Sequence, residues 1–269
     1  MTLQPISIRA SSLPGLFDCP ARFEATQLLG LHAPTSGKAI LGRAVHASTA
    51  VYDVARLNGD YDLTPDEAAG AAVDAIHKPQ EDVVWDESLN PDTAEKIALG
   101  LHGLYCVQIA PAAEYVAVEA TCKALTITDL GLTLTGTVDR VYKAEDDTLG
   151  IADIKTGGRA VAVDGTVETA GHAYQVAVYE LLAGQALDQP MTAPARIIGL
   201  QAGKTPRGQR AGIGRIEGAK QTLVGDEKTP GVLELAAKML HSGTFFGNPK
   251  SMMCHARYCP RFSNCFFRR

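Results

Sequence analysis

Two carboxylates and a lysine form the pattern in this 269-residue sequence that is most suggestive of chemistry. Asp153, Ile154 and Lys155 follow a run of apolar residues, and Asp139 ends a similar run upstream. Both runs contain β-branched residues and are typical of adjacent β-strands. Because side chains alternate between the faces of a strand, Asp153 and Lys155 should point the same way while Ile154 points into the core.

This combination suits the hydrolysis of a phosphodiester. A divalent cation can activate water and offset the charge of the transition state, and Mg²⁺ or Mn²⁺ prefers oxygen ligands. Asp139, Asp153 and the main-chain carbonyl of Ile154 can supply these oxygens, and Lys155 can position the water or neutralise the phosphate. His46, near the start of a predicted helix, can add an imidazole, which suits Mn²⁺ better than Mg²⁺.

The elements that must position these residues follow from helix caps and strand patterns. The segment 64–67, Thr-Pro-Asp-Glu, is a strong helix start, with a cap, a proline at the first position and acids that suit the helix dipole. After residue 111 β-branched residues predominate, and we expect a three-stranded antiparallel meander. The predicted elements are short helices within 11–30, a loop and helix over 37–56, helices 64–77, 90–110, 171–187 and 228–242, and strands 114–128, 132–144, 149–155 and 195–201.

Four motifs, in this order, resemble those of the PD-(D/E)XK nuclease superfamily and specifically of its RecB-like branch. They are Gly42-x-x-x-His46, Gly136-x-x-Asp139-Arg140, Asp153-x-Lys155 and Gln175-x-x-x-Tyr179. The resemblance, which spans roughly Cys19 to Cys265, implies an α/β restriction-endonuclease-like core in which helices flank a mixed sheet. It further implies one nuclease domain over 1–269, with a helical insertion at 37–110 and a catalytic core at 111–201.

The same resemblance implies a role for each matched residue. His46, Asp139, Asp153 and the Ile154 carbonyl would bind Mg²⁺ or Mn²⁺, and Lys155 would be catalytic with the two aspartates. Gln175 and Tyr179 would support the catalytic site or contact DNA. Glu119, on the first predicted strand, is a further acidic candidate of lower weight.

The cysteines favour a second metal site. Three thiolates clustered near the C-terminus need a fourth ligand to complete a zinc site or an iron–sulfur cluster. In the CRISPR adaptation nucleases and AddB-type helicase–nucleases of this branch, one N-terminal and three C-terminal cysteines hold a 4Fe-4S cluster. The resemblance implies such a cluster, with zinc as the alternative, where residues 250–269 meet the N-terminal segment, on Cys19, Cys254, Cys259 and Cys265.

One departure from that pattern concerns spacing, because four residues separate Cys254 from Cys259 where two are usual. His255 is therefore a possible substitute ligand. Cys106 and Cys122 lie in apolar helix and strand sequence and are expected to be ordinary buried thiols.

The formal charge of −5 argues mildly against a nucleic-acid partner, but the charge is unevenly distributed. Residues 59–95 are strongly acidic, whereas residues 196–220 and the last twenty residues are basic. A basic loop at 204–220 and the C-terminal segment can form a phosphate-binding stripe if the fold brings them together. The predicted DNA-binding residues are Arg22, Arg43, Lys204, Arg207 and Arg210.

The sequence therefore predicts a metal-dependent exonuclease that acts on DNA ends in phage or bacterial recombination, replication or repair. The alternative is a non-catalytic nuclease-fold module that binds DNA ends or a recombination partner. No Gly-x-x-x-x-Gly-Lys-Ser/Thr phosphate loop occurs in the sequence, so unwinding would need a helicase partner. No apolar run is long enough to span a bilayer and no secretory signal is recognisable, so we expect a cytoplasmic location, in the host if phage-encoded.

Overall fold

A five-stranded mixed sheet lies at the centre of the molecule, for which the computed structural model describes residues 4–268. The strand order is β10-β9-β8-β7-β4. Strands β8 and β9 are parallel, and the other neighbouring pairs are antiparallel. These strands are β4 (Glu114–Thr121), β7 (Thr137–Lys143), β8 (Leu149–Gly157), β9 (Ala195–Gln201) and β10 (Arg210–Ile216).

A second sheet has three strands in the order β1-β6-β5, with β1 parallel to β6. Its strands are β1 (Ile6–Arg9), β5 (Leu125–Ile127) and β6 (Leu132–Thr135). A minor parallel pair joins β2 (Thr35–Ser36) to β3 (Val83–Val84).

The predicted three-stranded antiparallel meander is confirmed in β4, β7 and β8, which pair in that order. The predicted lengths of its first two strands are wrong, because each of these strands is divided between the two sheets. The predicted strand 114–128 divides into β4 and β5, and the predicted strand 132–144 divides at Gly136 into β6 and β7. At Gly136 the backbone passes so close to a neighbouring helix that a Cβ would lie 2.9 Å from the Tyr179 ring. The chain therefore leaves one sheet and enters the other at a position that excludes a side chain.

Three helices cover one face of the central sheet: α3 (Gly37–Leu57), α4 (Pro65–His77) and α5 (Pro91–Gln108). Each begins at a side-chain cap, and Thr64 and Glu67 form a reciprocal capping box at α4 as its sequence predicts. Their apolar faces bury Val45, Leu101 and Ile154 in one core.

The opposite face is covered by the remaining helices and the small sheet. These helices are α1 (Leu13–Asp18), α2 (Pro20–Phe23), α6 (Ala173–Leu187), α7 (Ala219–Val224) and α8 (Val232–Ser242). They bury a second core that includes Leu16, Val176 and Leu240. The predicted α/β fold, a mixed sheet flanked by helices, is confirmed.

The predicted basic loop at 204–220 is wrong in part, because β10 and the start of α7 occupy most of it. The alternation in Arg210–Ile216 is weak because Gly212 and Gly214 interrupt it, and each packs against Val167 where a larger side chain would clash. The glycines thus allow β10 to pack closely against Val167, and for the same reason the strand is difficult to recognise in the sequence.

The C-terminal segment folds back onto the N-terminal helices. Ala21 N donates to Phe246 O at 3.0 Å, and the Asn248 side chain donates to Asp18 O at 2.9 Å. Arg261 forms an ion pair of 2.5 Å with Glu24. Within residues 4–268, none of the helices combines the length and apolar character that crossing a membrane requires.

Candidate active site

The two central aspartates lie side by side on neighbouring strands. Strands β7 and β8 pair Arg140 with Ala152, which places Asp139 next to Asp153 one residue further on. Asp139 Oδ2 accepts a hydrogen bond of 2.8 Å from the Ile154 amide, so the first carboxylate is fixed across the strand pair. The two predicted acidic residues therefore share one end of the sheet.

His46 reaches the same place from α3. Its Nε2 lies 2.9 Å from the Ile154 carbonyl oxygen, and its Nδ1 lies 3.5 Å from Asp139 Oδ2. The imidazole is about a third exposed, with 30% of its side chain accessible, so one side of the cluster opens to solvent.

Glu119, the acidic candidate of lower weight, is part of this cluster. Ligand atoms of His46, Glu119 and Asp139 all lie within 4.8 Å of one another. The Glu119 backbone has φ +48°, a left-handed conformation that is uncommon for residues other than glycine. The irregularity of β4 turns this side chain towards the aspartates, and the sequence carries no clear signal for such a local distortion.

The donor set fits a divalent cation such as Mg²⁺ or Mn²⁺. It combines the carboxylates of Glu119 and Asp139, an imidazole and the Ile154 carbonyl, and Asp153 lies across the strand pair from Asp139. His46 Nε2 and Ile154 O are 2.9 Å apart, so the imidazole and the carbonyl lie close enough together to serve one ion. An imidazole among oxygen ligands favours Mn²⁺ over Mg²⁺.

The electrostatics of the cluster also favour a cation. Burial and the nearby Asp139 carboxylate raise the pKa of Asp153 to about 6, against the opposing effect of Lys155. Burial and the same Asp139 carboxylate raise the pKa of Glu119. Crowded carboxylates that resist ionisation are stabilised when a divalent ion supplies positive charge between them.

Lys155 and the first two turns of α6 form the side of the site opposite the cluster of His46, Glu119 and Asp139. Lys155 Nζ lies 2.6 Å from Asp153 Oδ2 and donates to Gln175 Oε1 at 3.0 Å. The Gln175 amide nitrogen donates to Asp153 Oδ1 at 3.3 Å and to the Tyr179 hydroxyl at 3.1 Å. Gln175 thus holds the lysine and the aspartate in one arrangement, and Tyr179, one helical turn later, holds Gln175.

A buried network behind the cluster was not predicted from the sequence. Arg140 is fully buried and donates to Asp53 Oδ2 at 2.7 Å, to Asp139 O at 2.7 Å and to Glu119 Oε1 at 3.2 Å. Asp53 also accepts a hydrogen bond of 2.5 Å from Tyr105. The sequence contained Arg140 within the Gly136-x-x-Asp139-Arg140 motif, but nothing in it connected this arginine to Asp53.

The predicted DNA-binding residues do not form one surface of equivalent, free cations. Arg22 donates through Nε to Tyr258 O at 3.3 Å, Arg43 forms an exposed ion pair with Glu81, and Arg210 donates to Val161 O. Lys204 and Arg207 are exposed in the turn between β9 and β10.

The four predicted cluster cysteines are brought together. Cys19, Cys254, Cys259 and Cys265 line one cavity between the α1–α2 junction and the C-terminal segment. Partial burial and the three neighbouring thiols raise the pKa of the Cys254 thiol. Within the described residues, no three of the four sulfurs lie within 4.8 Å of one another.

The remaining thiols and the alternative histidine lie outside this cavity. His255 is absent from its lining, and its Nδ1 accepts a hydrogen bond of 3.1 Å from the Arg257 amide. Cys106 and Cys122 are buried and free in other parts of the fold, as expected.

Comparison with known proteins identifies the family of this chain and a similar fold. The family model of the PD-(D/E)XK nuclease superfamily matches residues 7–266. The fold is similar to that of the "Putative exonuclease" from Eubacterium rectale, with a TM-score of 0.54 and 13% sequence identity over 90% of this chain and 83% of that one. A likeness to the protein SSO0001, at 14% identity over 98% of this chain and 87% of that one, has a TM-score of 0.42, too low to carry an argument. No curated protein matches the sequence.

Proposed function

The chain belongs to the PD-(D/E)XK nuclease superfamily, and from that premise we propose that it is a metal-dependent DNA exonuclease of the RecB-like branch. The observation that carries the proposal is the convergence of His46, Glu119, Asp139, Asp153 and Lys155 at one end of β7 and β8. A non-catalytic module would not need to keep three carboxylates, an imidazole and a lysine together at one site.

Each residue then has a defined task in phosphodiester hydrolysis. His46, Glu119, Asp139, Asp153 and the Ile154 carbonyl would hold Mg²⁺ or Mn²⁺, which would supply Lewis acidity and lower the pKa of water. Lys155, anchored by Asp153 and Gln175, positions the attacking water or neutralises the scissile phosphate. Tyr179 fixes Gln175, so α6 determines the direction in which the ammonium group points.

The substrate in this proposal is a DNA end, in line with the four RecB-like motifs. Lys204 and Arg207, exposed beside β10, are candidates for contacts to the DNA backbone, as are Arg22, Arg43 and Arg210 where their other contacts permit. A role in phage or bacterial recombination, replication or repair, in the cytoplasm, completes the proposal. A recombinase or helicase partner would supply unwinding.

The cysteine cavity is proposed to hold a 4Fe-4S cluster that joins the two ends of the chain. A single tetrahedral zinc ion with Zn–S bonds of about 2.3 Å requires sulfurs separated by about 3.8 Å. The four sulfurs line one cavity, and within the described residues no three of them lie within 4.8 Å of one another, so they are not arranged for a single zinc ion. The preference for 4Fe-4S rests on the RecB-like pattern of cysteines. The anaerobically purified protein is expected to be brown and to contain iron and acid-labile sulfide. A colourless protein with stoichiometric zinc would refute the cluster.

The decisive test of the enzymatic function uses labelled linear single- and double-stranded DNA with Mn²⁺. Asp153→Ala and Lys155→Ala are expected to abolish cleavage, because each removes one member of the ion pair at the site. Labels at either strand terminus distinguish release from ends from internal cutting and give the polarity. Cleavage that survives both substitutions would reject the assigned site, and DNA binding without cleavage by the wild-type protein would favour a non-catalytic module.

A further inference from the structure

A polar groove lies between the N-terminal and C-terminal segments, and none of the candidate active-site residues lines it. It has a volume of about 410 Å³ and is bounded by β1, α1, α2, the segment 32–36 and the C-terminal segment. Four basic side chains line it, and its lining contains no aspartate or glutamate: Arg9, Arg22, His32 and Arg257. We call this cleft the arginine groove. On a chain with a formal charge of −5, a basic cleft without acids indicates a site for an anionic ligand.

One wall of the arginine groove rests on the helix that carries Gln175 and Tyr179. Ser11, Ser12 and Gly15 line this wall. The neighbouring Phe17 packs edge-on against Tyr174 of α6, with ring centroids 5.5 Å apart. This wall is therefore fixed to the α6 side of the active site.

The other wall is the start of the helix that carries His46. Ser36 and Ala39 line the groove, and Arg43 and His46 follow at spacings of four and three residues. Residues with this spacing lie on one face of a helix. The groove therefore borders the N-terminal end of α3, about two turns before His46 on the same helix.

The arginines keep donors available for a ligand. Arg9 is exposed and has no acidic partner among the described residues. Arg22 uses only Nε for Tyr258 O, so its two terminal nitrogens remain free of protein partners within residues 4–268. Arg257 contacts Asp86 through one nitrogen, at 3.2 Å, and that acid is not part of the groove lining.

We propose that the arginine groove binds the phosphate backbone of a single DNA strand and leads that strand to the active site. This inference rests on the proposed function and adds the path and the form of the substrate. A basic groove that follows the backbone is the general means of binding single strands. A single strand also suits the recessed site, because Asp153 has 2% and Lys155 has 27% of its side chain exposed.

The test measures DNA binding separately from cleavage. Every protein carries Asp153→Ala, so no strand is cut, and fluorescence anisotropy follows a short labelled single strand at several salt concentrations. Arg9→Ala and Arg257→Ala are each expected to weaken binding severalfold and to reduce the slope of log K against log salt by about 0.7. Lys238→Ala, which removes an exposed cation from α8, is the matched control and should leave both quantities unchanged.

Two further variants distinguish a direct role of the arginines in DNA binding from a general loss of folding. Arg9→Lys retains the charge and should restore most of the binding, which a general loss of folding would not allow. Asp86→Asn frees Arg257 from its carboxylate and should strengthen binding, a change of opposite sign. Unchanged affinity and salt slope in both alanine variants would overturn the proposal. Loss of binding to duplex ends with unchanged binding to single strands would overturn the assigned substrate form.

The failure of this inference is distinguishable from failure of the proposed function. If the wild-type protein does not cleave DNA with Mn²⁺ but the alanine variants lose single-strand binding, the proposed role of the groove is supported and the exonuclease assignment is rejected. If the wild-type protein cleaves DNA and the alanine variants bind single strands as tightly as before, the exonuclease assignment is supported and the proposed role of the groove is rejected.

Discussion

Arg140 and Asp53 form a buried ion pair in which Nε lies 2.7 Å from Oδ2 and the side chains are 0% and 2% exposed. Burial opposes the charge on Arg140, but the Asp53 carboxylate and the Tyr105 and Tyr115 side chains together outweigh this effect, and the pKa of the guanidinium is raised. The same guanidinium contacts the Asp139 carbonyl and the Glu119 carboxylate. The pair therefore connects helix α3 to two of the proposed metal ligands.

Loss of the Asp53 charge is expected to destabilise the protein strongly. Asp53→Asn leaves Arg140 buried without its counterion, and breaking such a pair costs about 3–5 kcal/mol. Urea unfolding gives the free energy directly. The exposed pair of Lys78 and Asp74 is the control, because its side chains are 76% and 67% exposed and Lys78→Ala should change stability by less than about 1 kcal/mol. Equal effects of the two substitutions would contradict the assigned role of the buried pair.

Binding of a divalent cation should stabilise the folded protein through Glu119. At a concentration of Mn²⁺ one hundred times its Kd, the free energy of unfolding should rise by about 2.7 kcal/mol. Glu119→Gln should move the midpoint of a Mn²⁺ thermal-shift titration to at least roughly tenfold higher metal. Glu114→Gln, on the same strand and exposed, provides the matched control. A midpoint that is the same in all three proteins would exclude Glu119 as a ligand.

Gln175 should affect catalysis more than metal binding. Gln175→Leu removes the contacts to Lys155 and Asp153, so kcat is expected to fall by roughly 10- to 100-fold. Tyr179→Phe removes only the hydroxyl that accepts from Gln175 and should have a much smaller effect. Rates measured over a range of Mn²⁺ concentrations separate kcat from metal affinity. An effect of Gln175→Leu that excess Mn²⁺ abolishes would show that Gln175 acts through the metal instead.

Stability should decrease as the pH rises because of Glu180. Burial raises the pKa of this carboxyl group from 4.5 to about 7, and Lys220 opposes the shift only partly. Between these pH values the folded state retains a proton that the unfolded state has released, so folding becomes less favourable as the pH rises. Above pH ~7 the full cost of the buried charge remains, about 1–2 kcal/mol once solvent screening is allowed for.

Glu180→Gln removes this titration and should make the protein more stable than wild type at pH ~8, by urea unfolding. The advantage should decrease as the pH falls and disappear below about pH 3.5, where the wild-type carboxyl group is protonated in both states. Glu227→Gln, at an exposed position, should show no such dependence on pH. A wild-type protein whose stability does not change across this range would refute the prediction.

Local sequence determined much of what was predicted correctly. The capping box at Thr64 and Glu67 gave the start of α4, and apolar strand patterns located β8 and β9. The four motifs indicated the nuclease superfamily before any contact was known. These features depend on residues a few positions apart, so caps, alternation and spacing are sufficient to reveal them.

Tertiary structure alone decided the remaining features. Arg140 meets Asp53 across 87 residues of sequence, and the left-handed backbone at Glu119 turns a residue of low weight into the cation cluster. The pairing of β1 with β6 likewise joins distant segments, and it shortens the second strand of the predicted meander. The sequence placed Asp153 and Lys155 on one face of a strand. Only the packing of α3 and α6 against the sheet brings His46 and Gln175 to them. The stability of such contacts comes from the burial and pairing of side chains that are far apart in the sequence, so local sequence patterns do not reveal them.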